Sequence, residues 1–221
     1  KRVCIQGLGF AGAAMAVAVA DARAHKGSFL YQVTGVDRAT PQGRKRVEAL
    51  RRGEFPFPTT DATIREVLAH AHQVGNLSAT TDESVYRSAD VVVINVALDI
   101  PFLEERPQLH MTDLERAVRS IARQIPEGAL VLVETTVPPG TCEKVVAPIL
   151  SEELQRRGLG PHAVHLAHSF ERVMPGNAYL ESITHFWRAY AGQTDEAARA
   201  CEAFLSSIVD TKNFPLMRLS S

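Results

Sequence analysis

Three stretches of the 221-residue sequence combine residue types and spacings that can do chemistry. The first, Gly7-Leu-Gly9-Phe-Ala-Gly12, has the G-x-G-x-x-G form. Glycines so spaced suit a tight turn at Gly7, approach of a pyrophosphate to backbone at Gly9 and close packing of a helix on a sheet at Gly12. A helix opening there presents unpaired N–H groups around Leu8, Phe10 and Ala11 to phosphate. Asp37 follows 25 residues after Gly12, slightly beyond the usual spacing of about 20. The connection from His25 to Tyr31 accounts for the excess. A carboxylate at that position accepts hydrogen bonds from both ribose hydroxyls and repels a 2′-phosphate, which favours NAD over NADP. Arg38 pulls the other way, because an arginine can accommodate that phosphate. As an alternative, Asp37 merely caps the turn before Pro41.

The second stretch, Glu134-Thr-Thr-Val-Pro-Pro-Gly-Thr141, ends an apolar run in two hydroxyls, Thr135 and Thr136, held by a stiff Pro-Pro-Gly corner. Ordinary hydroxyl capping of a tight turn is the alternative there. The third, Ser169-Phe-Glu-Arg-Val-Met-Pro-Gly176, sets Glu171 beside Arg172. Such a pair can act as general base and anion anchor, or can be a plain surface ion pair. Other features carry less. His162, His165 and His168 suggest a metal cluster, yet strand alternation sends His165 to the opposite face from the other two, so no metal is expected. Cys4, Cys142 and Cys201 fit neither a zinc nor a disulfide framework. Cys142 opens a helix, where a thiolate can be stabilised, but the reading adopted is a small packing residue in the first turn. Gly43–Arg46 with Arg51 and Arg52 reads as a solvated basic face, and Arg52–Pro58 as a loop.

These residues must be positioned by a regular scaffold. Apolar runs at Arg2–Gln6, Gln32–Val36, Leu77–Ala79, Val91–Val96, Leu130–Glu134 and Ala163–Ala167 are near-continuous rather than alternating, as in parallel strands buried on both faces. Helical patterns lie between them at Ala11–Ala24, Gly43–Arg52, Asp61–Ala71, Asp113–Arg123 and Cys142–Arg157. Another helix spans Thr194–Ile208, followed by a short strand and an exit through Pro215. Thr112-Asp-Leu-Glu115 has the form of a capping box, and Thr60 and Thr194 suit N-caps. The alternation predicts an α/β fold: a doubly wound (Rossmann) parallel sheet with helices on both faces. Ligands of such sheets bind beyond the carboxyl ends of the strands, which singles out Gly7–Gly12, Asp37, Val96–Asp99, Thr135–Thr141 and Ser169–Gly176.

Composition sets outer bounds. Apolar residues make up 45% and charged residues 22% of the sequence, an ordinary globular balance. A formal net charge of −1 offers nothing to nucleic acid or an acidic membrane surface. The longest apolar run, Phe10 to Ala20, is short of the roughly 20 residues of a membrane span. Three unpatterned cysteines and the absence of a signal-peptide pattern suit a reducing, cytoplasmic setting. The chain starts without Met and reads as a piece of a longer protein.

Taken in order, Gly7–Gly12, Glu134-Thr-Thr-Val-Pro-Pro-Gly-Thr141 and Phe170-Glu-Arg-Val-Met-Pro-Gly176 resemble the NAD-binding domain of the UDP-glucose/GDP-mannose dehydrogenase family. The last stretch is most similar to the branch acting on UDP-N-acetylhexosamines, such as UDP-N-acetylmannosamine. The resemblance implies a two-step, NAD-dependent oxidation of a sugar-nucleotide C6 alcohol to a carboxylate, through a cysteine-bound thiohemiacetal and thioester that water hydrolyses. It makes Glu171 the acid–base residue of hydrolysis and Thr136 a positioner of water near the nicotinamide. Arg172, Val173, Met174, Pro175 and Gly176 would lie along the UDP-sugar, while Thr135, Val96 and Ala97 would contact NAD. Two departures stand out: Leu98 replaces a threonine that contacts the cofactor in many members, and Pro175 replaces a second glutamate of UDP-glucose enzymes. The resemblance further implies that residues 1–210 are the NAD domain and 211–221 the start of a connection. A lysine- and asparagine-bearing central helix, through which homodimers form, and a cysteine-bearing domain would follow Ser221. Two rival readings are a hydroxyacid- or 6-phosphogluconate-type dehydrogenase without a covalent intermediate, and an NAD-sensing module without chemistry.

Overall fold

A computed structural model describes residues 1–24, 27–98, 102–103, 106–107 and 110–220. His25, Lys26, Asp99 and Ser221 lie outside these. The first strand, β1 (Arg2–Gln6), leads through the glycine turn into α1 (Phe10–Asp21). Alanine and valine dominate α1, and every residue from Gly12 to Ala20 is buried. Small side chains let this helix lie close on the sheet while other helices cover its outer side. Next come β2 (Gln32–Val36), α2 (Pro41–Arg51), α3 (Ala62–Val74), β3 (Leu77–Thr80), a 3₁₀ turn (Glu83–Ser88) and β4 (Val91–Ile94). A small antiparallel pair, β5 (Phe102–Leu103) with β6 (Arg106–Pro107), precedes α4 (Thr112–Ala122). The chain continues with β7 (Leu130–Val133), α5 (Ala147–Arg156), β8 (His165–Ser169), α6 (Tyr179–Thr184), β9 (Arg188–Gly192), α7 (Asp195–Leu205) and β10 (Leu216–Arg218).

The main sheet has the order β10-β9-β8-β7-β4-β1-β2-β3. All neighbours from β3 to β8 pair in parallel, β9 runs antiparallel to β8, and β10 is parallel to β9. The doubly wound α/β fold read from the sequence is the one adopted. Strand alternation divides the apolar residues between two cores. Val3 and Ile5 face α1, α3, α6 and α7, while Cys4 faces α4, α5 and the 3₁₀ turn.

Local details differ from the sequence reading. Thr112 is already inside α4, whose N-cap is Met111 without a side-chain bond, so the Thr112–Glu115 capping box does not form. Asp61 rather than Thr60 caps α3, because its carboxylate reaches the Ile64 amide at 3.1 Å. Thr194 caps α7 as expected, accepting from Ala197 N. The helix after Thr141 begins with a π turn at Cys142–Val146, where Ala147 N–H bonds Cys142 O just before Pro148, which has no N–H to donate. Strand β8 starts at His165 rather than Ala163, because Ala163 N–H closes a turn onto Gly160 O.

Candidate functional site

The strand order reverses between β1 and β4, and there the carboxyl ends of β1, β2, β4 and β7 open into a cleft of about 490 Å³. The glycine turn forms one wall, and its three glycines have distinct reasons to be glycine. Gly7 has φ +90°, and an added Cβ would stand 2.5 Å from Asn95 O. At Gly12 a Cβ would stand 1.8 Å from Gly7 O. Both are dictated by the protein's own packing. Gly9 differs: φ is −60° and an added Cβ would meet nothing within 4 Å. Its missing side chain is unexplained by the fold and leaves room for a group lying against the backbone. As N-cap of α1, Gly9 also offers no side chain to the first-turn N–H groups, so the positive end of the helix faces the cleft uncapped.

Asp37 is buried at the end of β2. Its Oδ1 accepts from Arg38 N at 2.7 Å, and Arg46 Nη1 approaches Oδ2 at 3.4 Å. The Arg38 side chain turns elsewhere: its Nη1 donates to both oxygens of Asp113, at 3.0 and 2.8 Å. Uncapped helix, bare backbone at Gly9 and a buried carboxylate at the end of β2 together fit a dinucleotide.

The other wall comes from β4 and β7. Thr135 is buried, and its hydroxyl stitches the two strand ends by donating to Ile94 O and accepting from Val96 N. Thr136 is exposed beside it and lines the cleft. Leu8, Phe10, Ala11, Val96, Ala97 and Leu98 also line it, although Leu8 is fully buried in the core. Gly12 lies beneath the cleft. Of the stretch after β8, Glu171 alone lines this space. Arg172 instead stacks over the Phe186 ring at 4.3 Å. Met174 N donates to Ser182 Oγ, and Gly176 O accepts from Thr59 Oγ1. The structure thus gathers the expected cofactor residues other than Gly12, with Glu171, into one space and sets Arg172–Gly176 outside it.

The floor holds residues that sequence reasoning passed over. Glu134 is buried, accepting from Arg188 Nη1 at 2.8 Å and from Asn95 Nδ2 at 3.2 Å. The Glu134 and Arg188 side chains are both 0% exposed. Among the described residues, Arg188 Nε and Nη2 have no hydrogen-bond partner. Burial raises the Glu171 carboxyl above its ordinary value and nearby Glu134 adds to this, against the opposing Val173 N–H bond and the Arg188 charge. Burial likewise lowers His168. It pushes the Cys142 thiol up to about 11, and Cys4 and Cys201 up to about 12, so all three are protonated and unreactive near neutrality. No group of described residues could hold a metal ion, and no described helix is long and apolar enough to cross a membrane.

The profile of the UDP-glucose/GDP-mannose dehydrogenase family, NAD binding domain, matches residues 1–208. The chain belongs to that family. NAD is the cofactor of this domain. The UDP-N-acetyl-D-mannosamine dehydrogenase of Pyrococcus horikoshii is 30% identical over 213 residues, covering 96% of this chain and 46% of that protein. The enzyme of the same name from Escherichia coli K12 is 32% identical, covering 91% of this chain and 44% of its own length. Among solved structures, an NDP-N-acetyl-D-galactosaminuronic acid dehydrogenase from Methanosarcina mazei Go1 superposes with a TM-score of 0.84 at 25% identity, over 100% of this chain and 44% of that one. The chain spans less than half the length of these relatives.

Proposed function

We propose that this chain is the NAD-holding half of a nucleotide-sugar 6-dehydrogenase acting on a UDP-N-acetylhexosamine, with UDP-N-acetylmannosamine the favoured substrate. The observation that carries this is the meeting of Thr136 and Glu171 in the same cleft as the glycine turn and Asp37. A pure cofactor sensor has no use for a hydroxyl and a proton-holding carboxyl at the nicotinamide end. In this reading the α1 N-terminus and Gly9 backbone hold the pyrophosphate, and Asp37 holds the adenosine ribose. NAD held there would supply the hydride acceptor, one molecule for each of the two oxidations. Glu171, with its raised proton affinity, passes a proton to and from the water that releases the carboxylate, and Thr136 orients that water. The cysteine that carries the thioester, and most of the sugar site, would belong to the part of the protein that this chain does not span. Arg172–Gly176 lie outside the cofactor cleft, on the side where a second domain would enclose the sugar. Homodimer formation and a cytoplasmic setting belong to the same reading.

The test is stoichiometric. A polypeptide joining this domain to its substrate half is given NAD and UDP-N-acetylmannosamine, and NADH is counted against uronate. Two NADH per uronate support the reading, whereas one NADH per oxidised sugar overturns it in favour of a dehydrogenase without a covalent intermediate. The 221-residue chain alone is expected to bind NAD and form no uronate. Turnover by it would overturn the division of labour.

A further inference from the structure

Near Asp37 the cleft is ringed by charges of both signs. Asp37, Glu83 and Asp113 face Arg38, Arg46 and Arg116 around one opening. Within this ring Asp113 holds two arginines at once: Arg38 from across the cleft, 75 residues away in sequence, and Arg116 one turn along α4 at 3.0 Å. Arg38 directly follows the ribose-facing carboxylate, where an arginine would ordinarily receive a 2′-phosphate. Its guanidinium is instead drawn over to the first turn of α4, where Asp113 also sits favourably against the helix dipole.

We propose that Asp113 is a cofactor-selectivity residue, which excludes NADP by keeping the Arg38 guanidinium engaged. The inference rests on the reading that Asp37 faces the adenosine ribose. Two carboxylates then act against a 2′-phosphate in different ways. Asp37 repels it directly, and Asp113 removes the cation that would otherwise compensate. The Arg38 and Asp113 side chains are 46% and 39% exposed. An exposed pair of this kind is worth at most about a fivefold change in an equilibrium. The effect is therefore a bias that NADP must overcome, not an absolute barrier. NAD places no phosphate there and is indifferent to where Arg38 points.

Calorimetric titration of the chain with NAD and with NADP tests this through the ratio of the two affinities. Asp113→Asn should shift the ratio toward NADP by about two- to fivefold while leaving NAD nearly unchanged. Arg38→Ala alone should move the ratio little, because its guanidinium is already occupied. Adding Arg38→Ala to Asp113→Asn should abolish the gain, a coupling that a double-mutant cycle isolates. Glu115→Gln makes the same charge change in the same helical turn at an exposed position outside the cleft, and should leave the ratio where it was. An unmoved ratio in Asp113→Asn, an equal gain in Glu115→Gln, or a gain that survives Arg38→Ala overturns the proposal. So does an equal loss of both cofactors, which would make the pair a structural strut. Failure of the wild-type chain to bind either cofactor would overturn the reading of the cleft itself, and this inference with it.

Discussion

The floor and the rim of the cleft use the same chemical pairing for opposite ends. On the floor, Glu134 and Arg188 meet at 2.8 Å with both side chains fully buried. At the rim, Arg38 and Asp113 meet at the same 2.8 Å with both half-exposed. Burial, not distance, separates them. A charge in the floor pair cannot fall back on water, so removing its partner leaves an uncompensated ion in the interior. Each member of the rim pair can exchange its partner for solvent at little cost. The floor therefore sets the shape of the site, and the rim can respond to what enters it.

The widest separation of the two is expected in stability. Arg188→Ala should destabilise the chain by about 3–5 kcal/mol, lowering Tm by on the order of 10 °C in a thermal melt. Glu134→Leu combined with Arg188→Met should recover much of this, since a well-packed apolar pair can match a buried ion pair. A Tm that barely moves for Arg188→Ala would mean that the floor is wetter than its burial indicates. A smaller contrast lies within the glycine turn. Gly12→Ala drives a Cβ into Gly7 O and should cost about 1–3 kcal/mol of stability in chemical denaturation. Gly9→Ala meets no protein atom within 4 Å, so stability should hold to within about 0.5 kcal/mol while NAD affinity falls about tenfold. Equal behaviour of the two variants would remove the reason given for Gly9.

The smallest effect concerns Glu171, where floor and open cleft meet. Its folded-state carboxyl is raised above its ordinary value of 4.5, first by burial and then by Glu134. A carboxyl raised in the folded state binds its proton more tightly there than in the unfolded chain. Its contribution to stability is therefore fully present below the ordinary value and is lost as pH rises from there through the raised one. Glu171→Gln should remove that loss. The stability difference between variant and wild type should grow in the variant's favour through the weakly acidic range and then level off. A flat difference across that range would show that Glu171 titrates normally.

Much of this architecture was readable in one dimension because its signals are local. The runs Val91–Ile94 and Leu130–Val133 are buried at every residue, and a strand enclosed on both sides needs no distant partner to be recognised. Gly7–Gly12 likewise announces its turn through the spacing of three glycines. The second half of the site depends on partners far away in sequence. Strand β9 begins with Arg188, a residue type that reads as exposed, and only Glu134, 54 residues earlier, explains how it can be buried. Helix α6 is six residues long, too short for a periodicity to show, and takes its cap from Asp61. Asn95 was within reach, since an amide directly after four buried apolar residues marks a strand end whose polar group must be satisfied. Asp113 falls within the capping-box pattern Thr112–Glu115, and nothing local shows it reaching Arg38.

Asp61 joins the two halves in another way. One of its oxygens accepts from Ile64 N at the start of α3, and the other from Tyr179 N at the start of α6, 118 residues later. Thr59, two residues before it, holds Gly176. Fraying of either helix would strand the carboxylate that the other relies on, so the two first turns share a single opening event. The segment from Glu171 to Gly176, bounded by the sheet on one side and by this anchor on the other, then behaves as a strap fastened at both ends rather than as a loose loop. Its adjustments to any ligand would come from rotation of side chains such as Arg172 and Met174, over a backbone that stays in place.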